Sequence, residues 1–165
     1  MDKSIRIFDI NKPGTESLEI SLKQNQFNQQ NGIISCISFN PMITNMFASG
    51  SYDRSIGIFD ERQQKVLNVL HGHKGGGITQ IEFANSGWYM FSGGRKDNEI
   101  HCWDMRNHQI LFTMERSVET NQKIEFDLNS KYLISGSSNG EIIVYELEKL
   151  GEEVLRIKTE SSKFL

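Results

Sequence analysis

The sequence predicts an all-β chain built from consecutive blades of a β-propeller. Three observations predict it: a motif that recurs four times at near-constant pitch, strand-like runs rich in β-branched residues, and turn residues that punctuate them. The motif reads DKSIRIFD at 2–9, DRSIGIFD at 53–60, DNEIHCWD at 97–104 and NGEIIVYE at 139–146. Each copy runs from an Asp or Asn in a turn to an acid seven residues on, and an aromatic residue precedes that acid: Phe8, Phe59, Trp103 or Tyr145. The closing acids are 51, 44 and 42 residues apart. A unit of about 40–45 residues that ends on a Trp-Asp-like dipeptide is the spacing of one four-stranded blade.

Naming the strands of a blade a to d, residues 2–9 read as strand c of the first copy and 18–22 as its strand d. The stretch 24–31 (QNQFNQQN) holds a single Phe. It reads as a loop, because it offers too little apolar surface to offset the entropy of ordering. The first half-blade and this loop occupy 2–31. The second blade occupies 32–71, with strands at 33–39, 46–49, 55–59 and 66–70. The third, 72–115, has strands at 78–83, 88–92, 99–103 and 110–114. The fourth, 116–158, has them at 123–128, 132–135, 141–145 and 154–157, and 159–165 is a tail. Asn40-Pro41, Asn85-Ser86-Gly87, Asn129-Ser130-Lys131 and Asn139-Gly140 supply turn chemistry between them. Runs such as IISCISF and EIIVY suit strands buried on both faces.

Two strands in the first unit and four in each of the next three make fourteen, or three and a half blades. Propellers close with about 4–8 blades. The expected object is therefore half of a seven-bladed ring that starts in mid-blade. Its remaining blades would lie in a longer parent chain or come from elsewhere. An unclosed ring exposes β edges, so the chain on its own is expected to associate.

Composition narrows the function classes. The chain has 165 residues, a net charge of −3, 24% charged and 37% hydrophobic residues. A small nucleic-acid-binding domain often has a strongly basic balance, so any such contact here must come from a local patch. Cys36 and Cys102 fall in apolar runs and read as packed free thiols. With no signal-peptide pattern, lipidation motif or membrane-length apolar run, the expectation is a soluble chain in a reducing compartment.

His73, Ser92, Asp97 and Trp103 read as one structural hydrogen-bond set of the third blade, and Asp53 is the matching turn acid of the second. A buried Asp needs donors, and Trp, His and Ser can relay them. A hydrolase reading of Ser/His/Asp fails because Ser92 falls within a strand, away from any sharp nucleophile turn. His71-x-His73 lacks convergent partners for zinc. GHKGGG at 72–77 lacks the closing Lys-Ser/Thr of a phosphate loop and precedes a strand. Its three glycines read as a sharp backbone turn. No cofactor, metal or catalytic pair is expected. Phe59 and Tyr145 stand where the third blade has Trp, and no His precedes either of those blades.

One spacing slips. The strand-b Ser is four residues before the turn Asp or Asn in blades two (Ser49, Asp53) and four (Ser135, Asn139), but five before it in blade three (Ser92, Asp97). The enlarged turn carries Arg95-Lys96. Two readings fit it: ordinary solvated charge, or an anion contact. Tyr52 and Arg54 occupy the equivalent turn of blade two, and Lys74, Gln122 and Lys123 lie in or beside loops that enter strand a. In a propeller these loops share a face. Cations, amides and an aromatic ring together suit single-stranded RNA.

The segments GIISCISF, GHKGGGIT, SGGRKDNEIHCWDMR, ETNQKIEFDL and SGSSNG, in that order, go beyond a generic WD repeat. Over about 32–145 they resemble the telomerase Cajal body protein family of WD-repeat β-propellers. The resemblance implies binding to a short loop motif in small Cajal-body RNAs and in telomerase RNA, and delivery of those ribonucleoproteins to Cajal bodies. It implies a nuclear location with a cytoplasmic pool, partnership with RNP proteins, chaperonin-dependent folding and no catalytic activity. It favours Arg95 and Lys96 as functional residues. The alternative is a WD-repeat protein scaffold without RNA contact. Two departures stand out: the family's flanking blades and N-terminal extension are absent from this sequence, and the insert 24–31 is this chain's own.

Overall fold

The computed structural model describes residues 4–12, 14, 18–21 and 29–159. Among them, fourteen strands form four antiparallel sheets, each a meander in chain order. β1 (Ser4–Ile7) pairs with β2 (Leu18–Ser21). The second sheet is β3 (Ile34–Phe39), β4 (Met46–Ser51), β5 (Ser55–Asp60) and β6 (Lys65–His71). The third is β7 (Ile78–Phe83), β8 (Tyr89–Gly94), β9 (Glu99–Asp104) and β10 (Gln109–Glu115). The fourth is β11 (Phe126–Leu128), β12 (Tyr132–Gly136), β13 (Glu141–Glu146) and β14 (Glu152–Lys158). These are propeller blades, three of them with four strands.

The core lies between blades. Ala48, Ile56 and Ile58 of the second sheet pack with Ile78, Ile81, Met90 and Trp103 of the third. Phe91, Ile100 and Cys102 pack in turn with Phe126, Leu133, Ile143 and Tyr145 of the fourth. Ile5 and Ile20 meet Phe47 and Phe59. This is why third strands read as near-continuous apolar runs: β5 is buried at all six positions, between two neighbours rather than between core and water. The fourth strand of blade four, β14, is exposed at all seven. Register shifts recur at matching places, near the start of β3 and β7 and between the third and fourth strands of each full blade. Such bulges bend and twist a strand.

The acid that closes each motif has a local task. Asp104 accepts from Arg106 N at 2.9 Å, Nε at 2.8 Å and Nη2 at 2.6 Å, pinning the turn into β10. Those donors hold its carboxyl down at about 2. Asp60 binds Arg62 and Gln63 in the same place, and Glu146 pairs with Lys149 and Lys131.

The structure departs from the sequence reading in places. The first strand of blade four begins at Phe126, not at 123. The Ile124 carbonyl is taken by Arg116 at 2.9 Å, and Gln80 Oε1 accepts from Phe126 N, so the chain is committed elsewhere before pairing begins. Trp88 lies in the turn before β8 and is half-exposed. A short 3-10 turn, Leu147–Lys149, joins β13 to β14. Asp2, Leu22, residues 24–28 of the expected amide-rich loop, and 160–165 of the tail lie outside the described residues.

Candidate nucleic-acid interface

The polar set of blade three comes together at its entry. His73 precedes β7, Ser92 is on β8, Asp97 is in the turn after β8, and Trp103 is on β9. Trp103 Nε1 donates to Ser92 Oγ at 2.7 Å. Ser92 Oγ lies 2.7 Å from His73 Nε2, and His73 Nδ1 lies 2.9 Å from Asp97 Oδ2. With a neutral imidazole protonated on Nδ1, every donor is used: Trp to Ser, Ser to His, His to Asp. Asp97 also accepts from Gly75 N at 3.2 Å and Glu99 N at 3.2 Å. Burial alone would raise its carboxyl, but His73 and these amides outweigh burial and hold it below the usual value. His101 stacks on His73 with ring centroids 4.0 Å apart. Burial, then the neighbouring His73, push the His101 imidazole down against the pull of Glu99.

Sequence reasoning missed two counterparts. In blade two Gln30, 1% exposed, occupies the place of His73. Its Nε2 donates to the Ser49 and Ser55 carbonyls at 3.1 Å each, and Ser49 Oγ donates to its Oε1. In blade four the place is taken by Arg116, whose Nη1 donates to Ser135 Oγ at 2.9 Å. Gln30, His73 and Arg116 each stand nineteen residues before the Ser they bind. The signal was that spacing, hidden because an amide, an imidazole and a guanidinium fill one role. Asp53 accepts from Asn31 N, from Gly32 N at 2.9 Å and from Ser55 N at 3.0 Å.

The cations gather above this frame. Residues 95–98 form the enlarged turn, and 52–54 the turn of blade two. Lys96 and Arg54 hold left-handed φ of 48° and 74°, which aims both side chains out of the strand line. The entry loop of blade three threads between the turns. Gly76 N donates to Arg95 O at 2.7 Å, and Arg95 N to Gly77 O at 3.1 Å. A Cβ on Gly75 would lie 2.1 Å from Lys96 O, and one on Gly77 2.5 Å from Tyr52 Cα. None of Gly75, Gly76 and Gly77 has positive φ. The chain bends at Gly75 and Gly76, as expected from sequence, and the missing side chains also allow this close approach.

The Arg95 guanidinium lies 3.9 Å over the Tyr52 ring. Arg54 Nη1 reaches Lys74 O at 3.5 Å. Tyr52, Arg54, Lys74, Arg95 and Lys96 thus form one cluster across blades two and three. Gln122 is exposed beside Thr120, whose carbonyl accepts from Lys96 N at 3.2 Å. Lys123 is drawn instead to Glu125, at 2.6 Å. Among the described residues no acid lies within ion-pair distance of Arg54, Lys74, Arg95 or Lys96, whereas Arg62, Arg106, Lys131 and Lys149 each have one and Arg156 has two. No group of three or more His, Cys, Asp or Glu among the described residues could hold a metal ion.

The WD domain, G-beta repeat family matches residues 22–60 and 64–104. Telomerase Cajal body protein 1 of Bos taurus is 39% identical over 155 residues, covering 92% of this chain and 28% of the relative. That of Homo sapiens is 38% identical over 155 residues, with the same two coverages, 92% and 28%. The Drosophila melanogaster homolog is 39% identical over 159 residues, 91% of this chain and 28% of the relative. The chain belongs to the telomerase Cajal body protein family. It spans 28% of the length of these relatives. Within the chain, the matched WD units include Gln30, Asp53, His73 and Asp97, together with Tyr52, Arg54, Lys74, Arg95 and Lys96. Arg116 and Tyr145 lie beyond the match, where the repeat's His and Trp are replaced.

Proposed function

We propose that this chain is part of a non-catalytic WD-repeat scaffold that binds single-stranded RNA on the face formed by the 52–54 and 95–98 turns. One observation carries the reading: Arg95 lies over Tyr52, and it, Arg54, Lys74 and Lys96 have no acid in ion-pair range among the described residues. Unpaired cations can neutralise phosphates and release their counterions, which drives affinity. Planar groups beside them take unstacked bases. Arg95 covers one face of Tyr52, so a base stacks on the outer face of the guanidinium or on the far face of the ring. The net charge of the whole chain is −3, so attraction to RNA must come from this local cationic surface.

The RNA belongs to small Cajal-body or telomerase ribonucleoproteins, a reading supported by relatives named for telomerase and the Cajal body. Nuclear, Cajal-body residence with a cytoplasmic pool, contact with RNP proteins, folding on a chaperonin and completion by further blades follow the same resemblance. A second reading, a protein-interaction scaffold, is favoured by a cleft of about 390 Å³ between blades three and four, lined by Tyr89, Phe91, Leu111, Phe112 and Leu150. Crosslinking in cells followed by sequencing separates them. Enrichment of small nuclear RNA supports the first reading, and its absence leaves the second.

A further inference from the structure

Arg116 is the buried charge that the RNA face does not use. It lies between β10 and β11 and is 4% exposed. Nη1 donates to the Ile124 carbonyl and to Ser135 Oγ, but Nε and Nη2 are buried without a partner among the described residues. The turn of blade four supplies Asn139 where blades two and three supply Asp53 and Asp97, so no counter-charge comes from that position. Desolvation pushes the guanidinium down to about 10, which leaves it cationic at neutral pH. An apolar side chain of similar volume would serve packing as well or better. Packing is therefore a poor reason for this residue.

Its geometry supplies another reason. Arg116 N donates to Asn98 O at 2.7 Å, and Val118 N to Asn98 Oδ1 at 2.8 Å. Lys96 N donates to Thr120 O at 3.2 Å. The enlarged turn therefore leans on the 116–120 backbone through both Lys96 and Asn98. The Arg116 side chain, by binding the Ile124 carbonyl, buckles that same loop shut eight residues further on. We propose that Arg116 is a positioning residue: by closing the 116–124 loop it holds the Arg95-Lys96 turn in the orientation that meets RNA. This rests on the RNA reading of that face.

The test is Arg116→Met in the full chain, with a labelled single-stranded oligouridylate as probe. The variant keeps or gains thermal stability and loses affinity several-fold. Its slope of log affinity against log salt becomes shallower as well, because a displaced turn no longer meets its phosphates. Arg95→Ala lowers the slope by about 0.7, the value of one single-strand phosphate contact. Added to Arg95→Ala with Lys96→Ala, Arg116→Met causes no further loss. Unchanged affinity at retained stability overturns the proposal, and so does a further loss when Arg116→Met is added to the double variant. If the Met variant does not fold, Arg116→Lys is read by the same criteria. If the wild type does not bind the oligouridylate, the RNA reading of the face fails. Amide exchange at 96–98 in the variant then decides the positioning role: faster exchange supports it, and unchanged protection overturns it.

Discussion

Ser92→Ala removes one oxygen and strands two buried groups. Ser92 Oγ accepts from Trp103 Nε1 and bonds His73 Nε2, each at 2.7 Å, and Ser92 itself is fully buried. Each buried polar group left unpaired costs roughly 1–3 kcal/mol. The substitution should therefore cost about 3 kcal/mol, a fall in Tm of about 6–12 °C for a chain of this size. Blade two provides the internal control. Ser49 is also fully buried, but its aromatic counterpart is Phe59, which has no N–H to orphan. Gln30 Nε2 keeps both carbonyl partners when Ser49 Oγ is lost. Ser49→Ala should thus cost about half as much, roughly 1–2 kcal/mol. The decisive comparison adds Trp103→Phe to Ser92→Ala, which removes one orphan and should cost less than the sum of the single changes. Urea melts of the four variants measure this. Equal costs for Ser92→Ala and Ser49→Ala, together with strict additivity in the pair, would refute the relay.

Acid should weaken blade three through His101. Its folded imidazole is held below the ordinary value by burial and by His73, so protonation favours the unfolded chain, and stability present above about pH 6.5 is lost as pH falls below that value. His101→Gln should flatten that part of a pH series of urea melts, and an unaltered profile would count against the assignment. Gly75→Ala drives a Cβ to within 2.1 Å of Lys96 O and 2.7 Å of Asp97 Cα, both backbone atoms. It should displace the cationic turn and destabilise the blade by about 1–3 kcal/mol, with faster amide exchange at 95–98 as the readout; wild-type exchange there would reject the close approach.

The blades were legible because their cause is local and periodic. Each third strand must be apolar to lie between two neighbouring sheets, and each closing acid must bind the turn that follows, as Asp104 does with Arg106. Both demands repeat along the chain and leave a pitch. The late start of β11 was not legible, since 123–125 has strand-like composition and is diverted only by the Arg116 bond to the Ile124 carbonyl, eight residues back along the chain. The polar residue at each blade entry was half legible. His73 carries the repeat's own chemistry, whereas Gln30 sits in an amide-rich stretch that composition assigns to loop, and Arg116 reads as surface charge until its burial is seen. The cluster of Arg95 with Tyr52 was legible as two turns on one face; the 3.9 Å stacking between them was not.

If the cations of the 52–54 and 95–98 turns bind RNA phosphates, removing them must change how binding responds to salt. The measurement is the salt dependence of oligouridylate affinity for the wild type and for Arg95→Ala with Lys96→Ala. The double variant should show a slope shallower by about 1.4, the value for two single-strand phosphates left without a cation, with the melting temperature little changed. The same affinity and the same slope in a folded double variant would mean that these cations do not meet RNA.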